Sequence, residues 1–313
     1  MTLFDRYVMV DWSAASRPRV GSDSIWVANL GSGGAATTAN PPTRGTALEV
    51  LRELLVGAVH RGERVLVGFD FPLGFPRGLG AALGLKPPPW EALWDCVAES
   101  LQDDVDGQGN QNNRFDVAAA INARLDHHVF WGCPPRSAGR DLAARRDRVR
   151  YPTDWTSVSA SAGPGEWREV ERLLHLRGLH PHSAWQLLGA GAVGSQAITG
   201  IPVVRLLRRH PELEEVSRAW PFENPATSPS EGSPAVVHAE VWPSLLRIRV
   251  APGDVRDRAQ VSQLARRLRD IDRAGGLADL LAAPSSAALE EGWILGTGRD
   301  GSDLLASRDR PTV

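Results

Sequence analysis

The chain is poor in lysine, tyrosine, methionine and cysteine. Lys86 is the only lysine among 35 basic residues, and there are two tyrosines, two methionines and two cysteines in 313 residues. Two cysteines, Cys96 and Cys133, exclude a disulfide framework in a chain this long. No cationic, apolar leader opens the sequence, because Met1-Thr-Leu-Phe-Asp-Arg6 runs straight into a strand. No stretch approaches the roughly 18–20 apolar residues of a membrane span. The expectation is a cytoplasmic protein with no membrane partner. Net charge is −2, so no global basic field draws the protein to nucleic acid, although local basic patches remain open to it. The shortage of lysine reflects a GC-rich genome more than a mechanism. Tryptophan is what the chain has in excess, eleven against two tyrosines, and these rings are expected in the core or in pocket walls. The length allows one large domain or two modest ones, and 42% hydrophobic residues suffice for a sizeable core.

Residues 6–11 form a short apolar strand ended by Asp11, and Ser24–Leu30 a second strand after a Ser/Pro/Gly turn, which makes a hairpin. Residues 31–45 are expected as loop. Leu48, Leu51, Leu55 and Val59 give Thr46–Arg61 a helical period that Gly62 ends. Arg64–Asp70 is almost wholly apolar, as a central strand parallel to the first would be. The prolines of Phe71-Pro-Leu-Gly-Phe-Pro76 then impose a rigid turn where α/β sheets place ligands. Residues 78–210 are expected to be a large, mostly helical insertion or lid. Its helices are Trp90–Gln102, Asn113–Leu125, Glu166–Leu176 and Ser195–Arg209, the last broken by Gly200 and Pro202. The sheet resumes with strands at Val216–Glu223 and Val236–Val241, followed by helices at Ala259–Arg273 and Leu277–Ala283. The implied organisation is a core in two parts, 1–77 and 211–297, with a polar tail over 298–313.

Three apolar runs carry a carboxylate at or near their ends: Tyr7–Asp11, Val65–Asp70 and Ala235–Glu240. A later helix start adds Asp254-Val-Arg-Asp257. An acid at the end of a buried strand is costly unless something compensates it. Repetition of that habit points to acids converging on a cation, and hence to an α/β, ribonuclease-H-like mixed sheet flanked by helices. Such sites gather carboxylates around two divalent ions, with hard oxygen ligands and a spacing of about 3.5–4 Å. The candidate catalytic residues are Asp11, Asp70, Glu240 and Asp257, and the candidate ligands of Mg²⁺ or Mn²⁺ are these four with Asp254. Asp254 and Asp257, three residues apart, would share a helix face. The plainer reading makes Asp11 a turn residue, Asp254 an N-cap and Asp257 a partner of the helix dipole. Glu223, in Ala219-Trp-Pro-Phe-Glu223, is a reserve ligand.

Trp12, Ser13 and Trp242 lie within two residues of these acids and are the candidate substrate-binding residues. Ser13 would let a phosphate approach, or be an ordinary polar turn. The two tryptophans would stack on a base, or pack in the core, the commoner fate of tryptophan. Gly189-Ala-Gly-Ala-Val-Gly194 matches a dinucleotide-binding pattern but lacks a strong preceding strand and a following acid. His127, His128 and Cys133 lack a second ligand pair for zinc. Arg136, Arg140, Arg145, Arg146, Arg148 and Arg150 form a basic segment diluted by Asp141, Asp147 and Asp154, equally a phosphate contact or a solvated face.

Val10-Asp-Trp-Ser13, Gly68-Phe-Asp-Phe-Pro-Leu-Gly-Phe-Pro76, Ala239-Glu-Val-Trp-Pro243 and Glu290-Glu-Gly-Trp-Ile-Leu-Gly296 resemble the family described as domain of unknown function 429. The likeness covers both ends of the chain, about half of it. It implies a ribonuclease-H-like fold and a nuclease role. It also implies Asp11 as first-strand acid, Asp70 as the acid of the strand after the first helix, Glu240 as a later strand's acid and Asp257 as the final-helix acid. The leading expectation is a metal-dependent phosphodiester hydrolase acting on nucleic acid or a small phosphorylated substrate. An actin-like ATPase or phosphotransferase competes, disfavoured because Ser13 and Ala14 stand where its Gly-Thr turn would be. A non-catalytic binding protein on the same fold is the third possibility.

Overall fold

A computed structural model of the chain describes residues 2–31, 33–104, 109–125, 128–149, 151, 164–223, 235–282, 285–303 and 305. The elements follow in the order β1 (Arg6–Asp11), β2 (Trp26–Gly31), β3 (Thr37–Ala39), α1 (Arg44–His60), β4 (Arg64–Phe69), α2 (Leu79–Ala82), α3 (Pro89–Ser100), α4 (Arg114–Leu125), α5 (Glu169–Leu176), α6 (Val193–Arg208), β5 (Ser217–Ala219), β6 (Ala235–Glu240), α7 (Arg256–Arg273), α8 (Leu277–Leu281) and α9 (Ala288–Glu291). The six strands make one mixed sheet in the order β3-β2-β1-β4-β6-β5. β1–β2 and β2–β3 pair antiparallel, whereas β1–β4, β4–β6 and β5–β6 pair in parallel. The carboxyl ends of β1, β4 and β6 therefore share one edge.

Alternation along the central strands divides the core in two. Val8, Val10, Val65, Val67, Phe69 and Val236 face one side, where Leu51 and Leu55 of α1 and Ile198, Ile201 and Val204 of α6 cover them. Tyr7, Met9, Leu66 and Ala239 face the other, under Val261, Leu264, Ala265 and Leu268 of α7. α1 begins at Thr43, whose hydroxyl accepts from the Thr46 N–H at 3.1 Å, and ends before Gly62, which takes φ +72°. α7 is fixed at both ends. The carboxylate of Asp272, near its C-terminus, accepts from the Leu3 and Phe4 N–H groups at 2.8 and 2.9 Å and from the Tyr7 hydroxyl, tying the helix to the entry of β1.

The stretch expected to be an insertion supplies much of this packing. α3, α4 and α6 share one core with α1 and the sheet. α6 is also unbroken through Pro202, contrary to expectation. Proline inside a helix costs about 3 kcal/mol, but α6 is buried along its length, and tertiary burial outweighs that loss. β3 was expected as loop; its three residues pair with Val27–Asn29 at the sheet edge. The strand expected over 216–223 is shorter, Ser217–Ala219. The turn after β4 is tightly held: the Trp94 indole donates to the Leu73 carbonyl at 2.7 Å, Phe75 stacks on Trp185, and Phe71 lies against Gly200. Arg150 and Asp154 of the basic segment, residues 304 and 306–313 of the tail, and His127 lie outside the described residues.

Candidate functional site

Asp11 and Asp70 end neighbouring parallel strands. β1 and β4 pair Val10 with Phe69, so the acids stand one position further on, side by side on the α7 face. The Trp12 N–H donates to Asp70 Oδ1 at 2.8 Å, and the Asp70 N–H donates to the Val10 carbonyl at 3.1 Å, which continues the ladder past the last strand residue. The two carboxyl groups lie close enough that each acts on the other's charge. Among the described residues neither forms a salt bridge with arginine, lysine or histidine.

Burial and mutual repulsion govern their charge. Burial, then the Asp70 charge and hydrogen bond, then Asp257 and Asp23, push Asp11 well above the usual carboxylate range. Burial pushes Asp70 up to about 6, against the stabilising hydrogen bonds from Asp11 and the Trp12 N–H. The pair therefore holds a proton, more tightly on Asp11, as carboxylates forced together do.

Asp257 lies in the first turn of α7 and is also raised, first by burial. Its Oδ2 accepts from the Asp23 N–H at 2.7 Å, pinning the β1–β2 connection to the helix start. Asp23 sits there at φ +52°. Asp257 and Asp23 thus bring negative charge to the pair. Asp23 is a contributor that the sequence reading passed over as part of an ordinary turn.

The other candidates go elsewhere. Asp254 precedes α7, whose N-cap is Val255, so it does not share a helix face with Asp257. It pairs with Arg258 at 2.7 Å, which lowers its pKa. Glu240 pairs in register with Phe69 rather than with Asp70, which puts it on the opposite face at that position. Both its oxygens are taken by Arg168, at 2.6 Å each, and Oε2 also accepts from the Leu73 N–H at 3.3 Å. Arg168 is 1% exposed and also binds Glu171 at 2.9 Å. Beside it, burial pushes Glu291 up to about 7 even though its carboxylate accepts from the Arg77 and Glu169 N–H groups. This network locks loops to the sheet end. Nothing in the sequence spacing reveals Arg168 as the partner of Glu240.

Glu223 is taken by Arg208, at 2.5 and 2.7 Å. Trp12 is 1% exposed; it donates to Thr199 Oγ1 at 3.2 Å and packs near Phe71, so it is a core residue and presents no face to a ligand. Trp242 is half-buried against the α7-side core. Ser13 is half-buried, and its hydroxyl accepts from the Ala15 N–H at 3.3 Å. Gly189–Gly194 leads from a turn into α6 without a preceding strand.

Two carboxylates sharing a proton, with no cationic side chain between them, fit a hard divalent cation. No group of three or more His, Cys, Asp or Glu side chains is arranged to hold a metal among the described residues. A divalent cation held there would have two carboxylate ligands and take water or substrate oxygens at its other positions. Two concavities, of 340 Å³ around Arg6, Thr38 and Glu53 and of 460 Å³ around Arg140 and Arg145, do not include the pair. No helix among the described residues is long and apolar enough to cross a membrane. Comparison with family models, curated proteins and solved structures gave no match, so the resemblance noted from the sequence rests on its motifs alone.

Proposed function

We propose that the protein is a metal-dependent phosphodiester hydrolase of ribonuclease-H-like fold, with nucleic acid or a small phosphorylated molecule as substrate. The observation that carries this reading is the adjacency of Asp11 and Asp70 at the carboxyl ends of neighbouring parallel strands, buried together and, among the described residues, in no salt bridge with a basic side chain. The hairpin–helix–strand opening and the late helix bringing Asp257 support it.

Asp11 and Asp70 would hold Mg²⁺ or Mn²⁺. The bound ion would activate a water and stabilise the leaving oxygen. The chain's own part is to position and to hold protons. The Trp12 N–H fixes Oδ1 of Asp70 and so orients its carboxyl group. Asp11 would give up its proton on binding a cation, whose positive charge would offset the burial and the Asp70 repulsion that raise its pKa. Asp257 and Asp23 add attraction for the cation without needing to contact it. The five-acid ligand set reduces in this reading to Asp11 and Asp70, with Asp257 as the nearest reserve, Glu240 assigned to structure and Asp254 to its pair with Arg258.

The test is hydrolysis of labelled single-stranded DNA and RNA and of bis-p-nitrophenyl phosphate, with Mn²⁺ or EDTA. The reading expects cleavage that needs the metal and falls by at least about a hundredfold in Asp70→Asn. Cleavage unchanged in Asp70→Asn would refute it.

A further inference from the structure

Arg114 opens α4, is 9% exposed and has no carboxylate in salt-bridge reach among the described residues. A buried guanidinium is costly when unpaired and cannot discharge at neutral pH. Of its five N–H donors, three are used, all on neutral acceptors. Nε donates to Ser195 Oγ at 3.0 Å, and Nη1 to Ser16 Oγ at 3.1 Å and Asn112 Oδ1 at 2.8 Å. Nη2 donates to nothing among the described residues and is not sealed from solvent. The Phe115 ring, 4.4 Å from Cζ, is a partial substitute for a counter-charge.

The neighbouring cation makes the imbalance worse. Arg44, fully buried, gives Nε and Nη2 to Asp103 at 2.6 Å each, so that pair is neutral by itself. Two guanidinium groups therefore share one carboxylate. Burial, and then the charge of Arg44, pull the Arg114 pKa down to about 10. Among the described residues the site lacks a second anion.

Its position gives that anion a role. Ser16 is exposed and lies five residues after Asp11. The intervening turn is clamped from both sides: Gln196 Nε2 donates to the Trp12 carbonyl at 2.6 Å, and Arg44 Nη1 to the Ser13 and Ala15 carbonyls at 3.3 and 2.8 Å. One rigid turn thus joins the carboxylate pair at one end to the unpaired arginine at the other. We propose that Arg114, with Ser16 at its mouth, is a subsite for a phosphate group of the substrate, on the turn that leaves Asp11. Its role as a substrate subsite rests on the hydrolase reading; its anion binding does not. The free Nη2 edge and the Ser16 hydroxyl suit phosphate oxygens, and charge-assisted hydrogen bonds of this kind are the strong ones.

The test is calorimetric titration of the full chain with inorganic phosphate in EDTA at pH 7.5, with melting curves for every variant. Wild-type protein is expected to bind phosphate and to melt higher in its presence. Arg114→Gln is expected to weaken binding by about tenfold or more, and Ser16→Ala several-fold. Should Arg114→Gln fail to fold, Ser16→Ala, which is exposed, decides the matter. Asp70→Asn is expected to keep phosphate binding. No phosphate binding in wild type, or equal binding in wild type and both subsite variants, would overturn the proposal. Phosphate binding that persists while Mn²⁺ fails to bind would remove the hydrolase reading and leave the anion site standing.

Discussion

Asp70 accepts a hydrogen bond from the backbone N–H of Trp12, the residue directly after Asp11. The end of one strand thereby holds the acid of its neighbour, and two carboxylates are kept together that would repel apart in water. The arrangement stores electrostatic cost at the sheet edge, as binding sites for cations do.

That cost is measurable. The folded pKa of Asp70, about 6, lies above its unfolded value of 3.8. Below the unfolded value both states are protonated and the site carries no penalty. As pH rises from about 4 through about 6, the folded state loses its proton last, so the site's contribution to stability falls. Asp70→Asn keeps the acceptor for the Trp12 N–H and removes the charge. It is expected to stabilise the metal-free protein by about 1–3 kcal/mol at pH 7, with the gain shrinking toward zero near pH 4. Urea unfolding of both proteins across pH 4–8 checks this.

Glu240 behaves in the opposite way. It and Arg168 are buried and paired through two hydrogen bonds. Breaking such a pair leaves a buried charge short of its partner, so Glu240→Gln is expected to destabilise by about 3 kcal/mol or more. Mn²⁺ affinity of the folded variant is expected to match wild type. Loss of Mn²⁺ binding without loss of stability would return Glu240 to the metal site.

Asp254 and Asp257 separate cleanly. Asp254 faces solvent with Arg258, and Asp254→Asn is expected to leave both melting temperature and Mn²⁺ affinity unchanged. Asp257 adds its charge to the pair. Asp257→Asn is expected to weaken Mn²⁺ several-fold while lowering the pKa of Asp11, readable by carboxyl carbon NMR titration.

Gly200 sits mid-helix in α6, where alanine is intrinsically favoured. A methyl group there would meet the Phe71 ring at 2.3–2.6 Å. Gly200→Ala is expected to destabilise by about 1–3 kcal/mol, measured by thermal or urea unfolding. A gain in stability would mean that the turn after Asp70 is looser than described.

The sequence makes Asp11 and Asp70 legible because each closes an apolar run that can only be a strand, and a hairpin followed by one helix makes those strands parallel neighbours. Glu240 closes a run of the same kind, yet it stands opposite Phe69. A shift of one residue in register reverses the face, and register depends on pairing partners that a single strand does not name. Arg114 and Arg168 were invisible for a related reason. Arg114 gains its meaning from Ser16, 98 positions away, and Arg168 from Glu240, 72 positions away. Pro202 misled because local propensity says nothing of how much surface α6 buries. β3 was missed because three residues in a Gly/Thr/Pro-rich stretch carry no usable period.

The central claim is that Asp11 and Asp70 bind a divalent cation, and calorimetric titration of Mn²⁺ tests it most directly. Wild-type protein at pH 7.5 is expected to bind Mn²⁺ with release of a proton, and more weakly at pH 5, where the pair is protonated. Asp70→Asn is expected not to bind. Absence of binding in wild type, or equal binding in the variant, would contradict the account.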